Sequence, residues 1–451
     1  MDFNTVLRCF GFEPEEFVDE PLEPIKADYG YILEVKQRSD KRICPKCGST
    51  NGVVKDHRAV EYNISNHSND FKTLRVIKTR FQCKNCLTTY TLPLKGIKPK
   101  SKFVEYNKAL LLQDFTKMMT FEEIGRSYKL SSMRIIQLFD ELVPFVPRRP
   151  MPEVLCIDEI KFSNNSDGKY ICILSDFVSG DCIDVIPNRR MEYLNDYFSK
   201  IPPGEAKRVK IFISDMYDGY ASIKERYFKS ATHVIDMFHI VKQLTNAVNK
   251  LRTRLMNLRK QEEGEDDLYY KFLKSKWAMF LCRKSKLIDK TYSPKGYNYD
   301  FDCFELVQEC LSLNMDLWDG YNMLQELFRY HYYQHFDDAN DFLDRITNKL
   351  RAGKNEILEK VADTYDRWRV GIINALTKRY DRNRMYTNGV AEGNNNAVTS
   401  LIKIAYGYGS FERFRKRILL IKTYKKVDDW GIHPWFYKFV WIVEKSPTNP
   451  P

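Results

Sequence analysis

The apolar positions in the middle of the chain fall into short runs, and several of those runs end in an acid. Residues 154–162 read VLCIDEIKF, four apolar residues followed by two acids, the pattern of a strand buried on both faces. Side chains alternate along a strand, so Asp158 shares a face with Cys156 and Ile160 while Glu159 points the other way. Residues 169–177 and 181–186 read as two further strands, with turns expected at 164–168 and 179–180. A helix over 191–200 follows, then a strand over 209–215, a helix over 219–228 and a strand over 232–235. A three-strand meander followed by alternating helix and strand predicts an α/β sheet. On the strand over 209–215, Val209, Ile211, Ile213 and Asp215 lie on one face, so a second acid closes a second apolar strand.

From Val241 to Tyr380 the period changes to that of helices, with Tyr and Trp interleaved among Lys and Arg. Such a mixture suits a surface that stacks on or tracks DNA, although the segment's own core and its snorkelling rim account for most of these residues. His331 and His335 stand four residues apart there and read as structural. Residues 388–408 read NGVAEGNNNAVTSLIKIAYGY. As a helix, this places Glu392 one turn after Asn388 and one before Asn395 and Asn396, a polar stripe opposite Ala391, Val398 and Ile402. Gly407 and Gly409 should end it, and Ser410 should cap a last helix whose Phe411, Phe414, Ile418 and Leu419 pack inward. Its basic residues, Arg413 and Arg417 among them, are expected to face outward and contact phosphate.

N-terminal to the sheet, residues 106–117 predict one helix. Thr120 and Glu123 form a capping-box pattern that starts a second helix, running to about Tyr128. A turn at 130–132 leads to a third over 133–142, which would offer Ser132, Arg134 and Gln137 to a DNA groove. An ordinary helical hairpin fits the same pattern. Residues 92–102 form a lysine-rich linker, and the proline-rich stretch 144–152 marks a boundary before the sheet.

The chain has 451 residues and a net charge of +12, which favours an anionic partner such as nucleic acid. No apolar run approaches the roughly 18 residues of a membrane span, and the acidic N-terminal segment does not read as a signal peptide. The cysteines, eleven in all, include two CxxC units, Cys44/Cys47 and Cys83/Cys86, while Cys156, Cys172 and Cys182 sit in apolar strands. Two CxxC turns aim four thiolates at one point, the pattern of a closed structural zinc site in a zinc ribbon with an enlarged hairpin. Redox-active or simply buried cysteines are the alternative. His57 and His67 are spare nitrogen donors that a four-thiolate site does not need.

A strand-end acid such as Asp158 can cap a turn or pair with Lys161, but two strand acids and one helical acid are also the parts that hold two divalent ions for attack on a phosphodiester. The paired CxxC region, IDEIKF, ISDMYDGY, VIDMFH and the long segment NGVAEGNNNAVTSLIKIAYGYGSFERFRKRIL together resemble the ISL3 family of DDE transposases, over nearly the whole chain. The resemblance implies an α/β RNase H-like core with a large all-α insertion, preceded by a small zinc ribbon and a helix-turn-helix-type domain. Its divisions would be residues 1–95 (zinc ribbon), 102–145 (helix-turn-helix), 152–240 (core), 241–385 (insertion), 386–430 (core, with the third acid) and 431–451 (tail).

It also implies that Asp158, Asp215 and Glu392 bind two Mg²⁺ or Mn²⁺ ions, with Asp158 and Asp215 on adjacent strands. Asp236 and His239 match a D-x-F-H element and are second-tier candidates; His239 would steer a phosphate or proton, or merely cap a helix. The four cysteines would hold Zn²⁺. Expected partners are double-stranded DNA, at transposon ends and target, and a second copy of the chain on DNA, with no membrane. The expected setting is a bacterial cytoplasm, at the nucleoid. Two other classes fit the same residues: a catalytically inactive DNA-binding descendant of a transposase, and a metal-dependent RNase H-like nuclease.

Overall fold

Strand-forming runs of unusual length shape the N-terminal part of the molecule, which we describe from a computed structural model. It covers the chain apart from residues 1–2, 10, 21–23, 28–29, 41, 64–70, 98–106, 163–168, 297, 334–338, 382–383, 405–408 and 425–451. The chain divides into two units, one of residues 1–147 with 398–451 and the other of residues 148–397. Several expectations lie outside the described residues: the linker over 98–102, the turn over 164–168, the side chains of His331 and His335, Gly407 and the tail.

In the first unit, helix α1 (Phe3–Cys9) precedes strands β1 (Pro24–Ala27), β2 (Gly30–Lys36), β3 (Gly52–Asn63), β4 (Phe71–Cys83) and β5 (Thr89–Thr91). They form one sheet in the order β1-β2-β4-β3, with β5 also on β4. The long β3/β4 pair is antiparallel, and β2 joins β4 in parallel. One end of the sheet buries Leu33, Val35, Leu74 and Val76 against Leu7, Phe12 and Phe17. The other end buries Phe81 and Tyr90 beside Cys44 and Cys83. Helices α2 (Asn107–Asp114), α3 (Phe121–Tyr128) and α4 (Ser132–Leu142) follow. The Thr120/Glu123 capping box forms in full, and the Ser131 hydroxyl accepts the Arg134 N–H to cap α4. The turn between α3 and α4 is tight: a Cβ on Gly125 would stand 2.5 Å from the Leu130 carbonyl oxygen. Phe115 packs edge-on against Phe121 and Phe139, which are tilted to one another.

In the second unit, β6 (Val154–Lys161), β7 (Tyr170–Asp176) and β8 (Cys182–Ile186) form the expected antiparallel meander. Helices α5 (Met191–Ser199) and α6 (Pro203–Ala206) lead to β9 (Ile211–Ser214), α7 (Asp218–Tyr227) and β10 (Thr232–Ile235). The sheet order is β10-β9-β6-β7-β8, with β9 parallel to both β6 and β10. The first and fourth strands of this sheet are therefore neighbours, so their terminal acids lie near one another.

The two sheet faces are both buried, as the near-continuous apolar runs require. Leu155, Ile157, Cys172, Leu174 and Phe212 pack with α5 and α7. Val154, Cys156 and Ile213 belong to a second, larger cluster shared with the helical segment. That segment comprises α8 (Met237–Glu263), α9 (Leu268–Ser275), the short pair β11 (Thr291–Tyr292) and β12 (Phe301–Asp302), α10 (Cys303–Ser312), α11 (Met315–Tyr333), α12 (Ala339–Ala352), α13 (Glu356–Arg367) and α14 (Arg369–Thr377). Its core is continuous with the sheet's: Leu244, Val248, Leu358 and Ile372 share one cluster with Ile213 and Ile235. Close packing of α14 on β10 requires Gly371, where a Cβ would meet Ile235 Cγ1 at 2.6 Å.

Helix α15 (Gly389–Ile404) follows, then α16 (Phe411–Tyr424). The expectation that the basic side of α16 faces outward is corrected here. Arg417 is fully buried, and its guanidinium donates to the carbonyls of Lys117 and Met119 at 2.9 Å each. Lys416 is buried too and donates to the Val143 carbonyl, while Arg413 pairs with Asp140 at 2.8 Å. The reason is that α16 is enclosed within the first unit. Carbonyls in the turn between α2 and α3 and at the end of α4 lie outside any helical ladder, and these cations supply donors to them. Among the described residues, no helix is long and apolar enough to cross a membrane.

Candidate active site

Asp158 lies within β6, just past the stretch paired with β9, on the face toward the helical cluster, half-buried. The Glu159 N–H donates to its Oδ1 at 2.8 Å, and Asn395 Nδ2 donates to its Oδ2 at 2.6 Å. Burial pushes this carboxyl above the ordinary Asp range; those two hydrogen bonds and the fields of His239 and Lys242 oppose the shift. Asp215 stands one residue past β9 and accepts the Tyr217 N–H at 3.1 Å. Burial raises it as well, His239 opposes, and the Asp158 charge raises it further. The two carboxylates therefore feel each other, and each feels the imidazole.

Asp236 is nearly fully buried at the start of α8 and accepts the Asn388 N–H at 2.9 Å. Burial also raises its pKa, against the Asn388 hydrogen bond and His239 and with the Asp158 charge. His239 sits in the first turn of α8, its ring edge-on to Phe238. No side chain caps this helix, so His239 is not a cap. Asn388, also buried, donates from Nδ2 to the Ile157 carbonyl at 3.1 Å. It thus ties the ends of β6, α8 and α15 together. Asn394 anchors α15 further along, donating to Ser175 Oγ and the Gly180 carbonyl.

Glu392 is exposed on α15, its backbone N–H bonded to the Asn388 carbonyl. The polar stripe of this helix is therefore divided: Asn388 and Asn395 face the strand acids while Glu392 meets solvent. Asp158, Asp215 and Glu392 do not converge on one point. Among the described residues, the four cysteines are the one group of three or more potential ligands whose donor atoms all lie within 4.8 Å of one another. Glu159 lies on the opposite face of β6, as alternation requires. It pairs with Arg189 and accepts the Tyr220 hydroxyl at 3.2 Å. Asp218 opens α7, exposed, and pairs with Arg367 at 2.6 Å.

The cysteines come from two turns of similar geometry. Cys44 Sγ is 3.6 Å from Cys86 Sγ, and Cys47 Sγ is 3.6 Å from Cys83 Sγ. Tetrahedral Zn–S bonds of about 2.3 Å set sulfurs about 3.8 Å apart, so the group matches a structural metal such as zinc. After each CxxC, one residue takes the left-handed conformation: Gly48 (φ +72) and Leu87 (φ +59). The N–H groups of these residues bond back to the Cys44 and Cys83 carbonyls. Hydrogen bonds from the Thr88 side chain and N–H lower the pKa of the Cys86 thiol, while at Cys47, against a hydrogen bond from the Ser49 N–H, those with the other cysteines raise it.

The remaining site candidates lie on α4. Ser132 and Gln137 are exposed. Arg134 is half-buried and donates to Gln137 Oε1 and Glu141 Oε1, both at 3.2 Å. Sequence reasoning missed the positioning roles of Asn388 and Asn395, although both stood in the polar stripe. It also missed Lys242, one turn beyond His239 on α8.

The profile of a transposase family, the ISL3 type with a DDE site, matches residues 155–418, more than half of the chain. A transposase for insertion sequence element IS1001 of Bordetella parapertussis is 24% identical over 425 residues, covering 91% of this chain and 94% of that protein. The matched segment runs from the first strand of the α/β sheet, through Asp158, Asp215 and Glu392, into the last helix. The chain belongs to the ISL3 family of DDE transposases.

Proposed function

We propose that this chain binds the ends of its insertion sequence and catalyses divalent-metal-dependent DNA cleavage and strand transfer on an RNase H-like core. The observation that carries this reading is the placement of Asp158 and Asp215. They stand side by side on adjacent strands, Asp158 within β6 and Asp215 one residue past the end of β9, with their carboxyls half-buried and mutually repelling. Two such carboxylates are costly unless a cation joins them. Hard oxygen donors suit Mg²⁺ or Mn²⁺. Asp158, Asp215 and Glu392 would hold the ions, which when bound activate the attacking oxygen and stabilise the leaving one.

The chain's own residues prepare the site. Asn395 and the Glu159 N–H orient the Asp158 carboxylate. His239 and Lys242 lend positive potential that favours ionised acids and an approaching phosphate. Asn388 and Asp236 fix the start of α15, and so the root of the helix that carries Glu392. Because Glu392 is exposed, bound DNA and metal would complete the triad. The meander followed by two parallel strands supports the RNase H-like assignment.

In the first unit, the four-cysteine group would hold a structural Zn²⁺, and α3–α4 would act as a helix-turn-helix presenting Ser132, Arg134 and Gln137 to DNA. Arg417 drops out of that list for the structural reason given above, while Arg413, partly exposed in its pair with Asp140, stays in it as a phosphate contact. Double-stranded DNA is the partner, with two chains assembling on paired ends, in the cytoplasm at the nucleoid.

The test is cleavage and joining of a duplex that carries the terminal repeat, in Mg²⁺ or Mn²⁺. Asp158→Asn, Asp215→Asn and Glu392→Gln should each abolish product while Glu159→Gln remains active. Loss of activity in Glu159→Gln with an active Asp158→Asn would overturn the assignment. Cutting without joining would indicate a nuclease, and binding without cutting an inactive DNA-binding protein.

A further inference from the structure

Helix α8 begins at the acids and runs away from them for 27 residues. From His239 to Arg254 it rises about 22 Å at ~1.5 Å per residue. Over that length one face is polar at helical spacing: His239, Gln243, Asn246, Lys250, then Thr253 and Arg254. The opposite face, with Leu244, Val248 and Leu251, is core. Beyond its first turns the polar face lines a groove of ≈ 730 Å³, whose other wall is α13, through Lys360 and Thr364. The walls are fixed to one another. Val361 and Leu358 of α13 share the core with α8, and the Tyr365 hydroxyl donates to the Ile240 carbonyl at 2.8 Å.

Among the described residues, the basic side chains that α8 brings to this groove are free of carboxylate partners, unlike five arginines elsewhere in the helical segment. Arg259, Arg345, Arg351, Arg367 and Arg369 each pair with a carboxylate. Lys250 and Arg254 form no ion pair or side-chain hydrogen bond with any described residue, and both are exposed. Across the groove Lys360 has only Glu356, at 3.7 Å, with both side chains largely in solvent. Such a pair is worth little and exchanges readily. The uncharged polar lining residues, Gln243, Asn246, Asn249, Thr253 and Thr364, are amides and hydroxyls, which donate to phosphate oxygens without reading sequence. Lys242 joins this polar stretch to the field at Asp158.

We propose that the α8–α13 groove is a DNA track, which takes the sugar-phosphate backbone of the duplex leading away from the phosphate held at Asp158 and Asp215. At about 3.4 Å per base pair, 22 Å of helix would follow roughly six pairs. The inference rests on the DNA-cleaving function proposed above and assigns a binding role to the helical segment.

The test uses the full chain and a duplex spanning the element's end and its flank. Lys250→Glu with Arg254→Glu is compared with wild type and with a control reversal outside the groove, Lys286→Glu with Lys290→Glu. Folding is checked by thermal melting, and Lys250→Gln with Arg254→Gln serves if the reversal melts early. The slope of log affinity against log salt should fall by about 2 in the groove variant, one unit per lost phosphate contact. Mn²⁺-dependent cleavage should fall at least about tenfold, and the control should change neither. A folded groove variant with unchanged slope and cleavage overturns the proposal, as does a slope that changes for single-stranded DNA but not for duplex. If wild type never cuts but the groove variant still lowers the slope, the cleavage reading fails and the track stands.

Discussion

Arg417 offers a sharp choice between two roles, because a basic residue of a DNA enzyme's last helix is an obvious phosphate contact. Its burial says otherwise. The guanidinium donates to two main-chain carbonyls at 2.9 Å and lies 5.6 and 5.4 Å from the centroids of the Phe115 and Phe121 rings. Hydrogen bonds from a charged donor contribute about 1.5–3 kcal/mol each, and a desolvated cation over aromatic rings about 1–2 kcal/mol. These terms are not additive, and Arg417→Ala also leaves a cavity beside Phe115. A loss of about 3 kcal/mol or more follows. For a unit of this size that corresponds to a fall of at least about 6 °C in the melting temperature. Arg417→Met, which keeps the volume, should recover part but not all of it, because the Lys117 and Met119 carbonyls still lose their donor. The assay is thermal melting of both variants, with the salt slope of DNA binding measured below the transition. An Arg417→Ala protein that melts like wild type while its salt slope drops by about 1 would refute the structural role and restore the phosphate contact.

Three further outcomes are expected. Purified protein should carry one Zn²⁺ per chain by elemental analysis, and Cys47→Ser should lose both the metal and the folded β3–β5 region, since structural zinc supplies about 10–16 kcal/mol of apparent binding energy; metal-free protein that stays folded would contradict this. Burial pushes His233 down from 6.5 to about 4, so its neutral form is favoured in the fold. A depressed pKa means stability present above about pH 6.5 and lost as pH falls toward 4, and His233→Gln should flatten that stretch of the melting-temperature profile. Burial shifts Asp158 and Asp215 in the opposite sense, upward, so their ionised forms are penalised at neutral pH. In metal-free protein Asp158→Asn should therefore raise the melting temperature near pH 7 and lose the upward shift that Mn²⁺ gives wild type; a variant that still gains from Mn²⁺ would remove Asp158 from the metal site.

How far the site was legible in the sequence follows from which forces act locally. Asp158 and Asp215 could be picked out because strand alternation and an acid after an apolar run are properties of a few consecutive residues, and the family resemblance implied that their strands would be neighbours. The four-cysteine group was readable for the same reason: each half is a four-residue turn. The division of the α15 stripe was not readable. Asn388, Glu392 and Asn395 share a helical face by spacing. Which of them turns inward depends on where β6 ends and on a carboxylate, Asp236, more than 150 positions away in sequence. The same holds for α16. Its Arg and Lys residues would be a solvated face on an isolated amphipathic helix, and only the carbonyls of the turn between α2 and α3, supplied by distant sequence, make burial of Arg417 favourable. Both misreadings concern polar residues whose partners, carboxylates at α15 and carbonyls at α16, lie far away in sequence. Spacing along one helix carries no signature of such partners, so the sites built on them emerge only when the fold brings the strands and helices together.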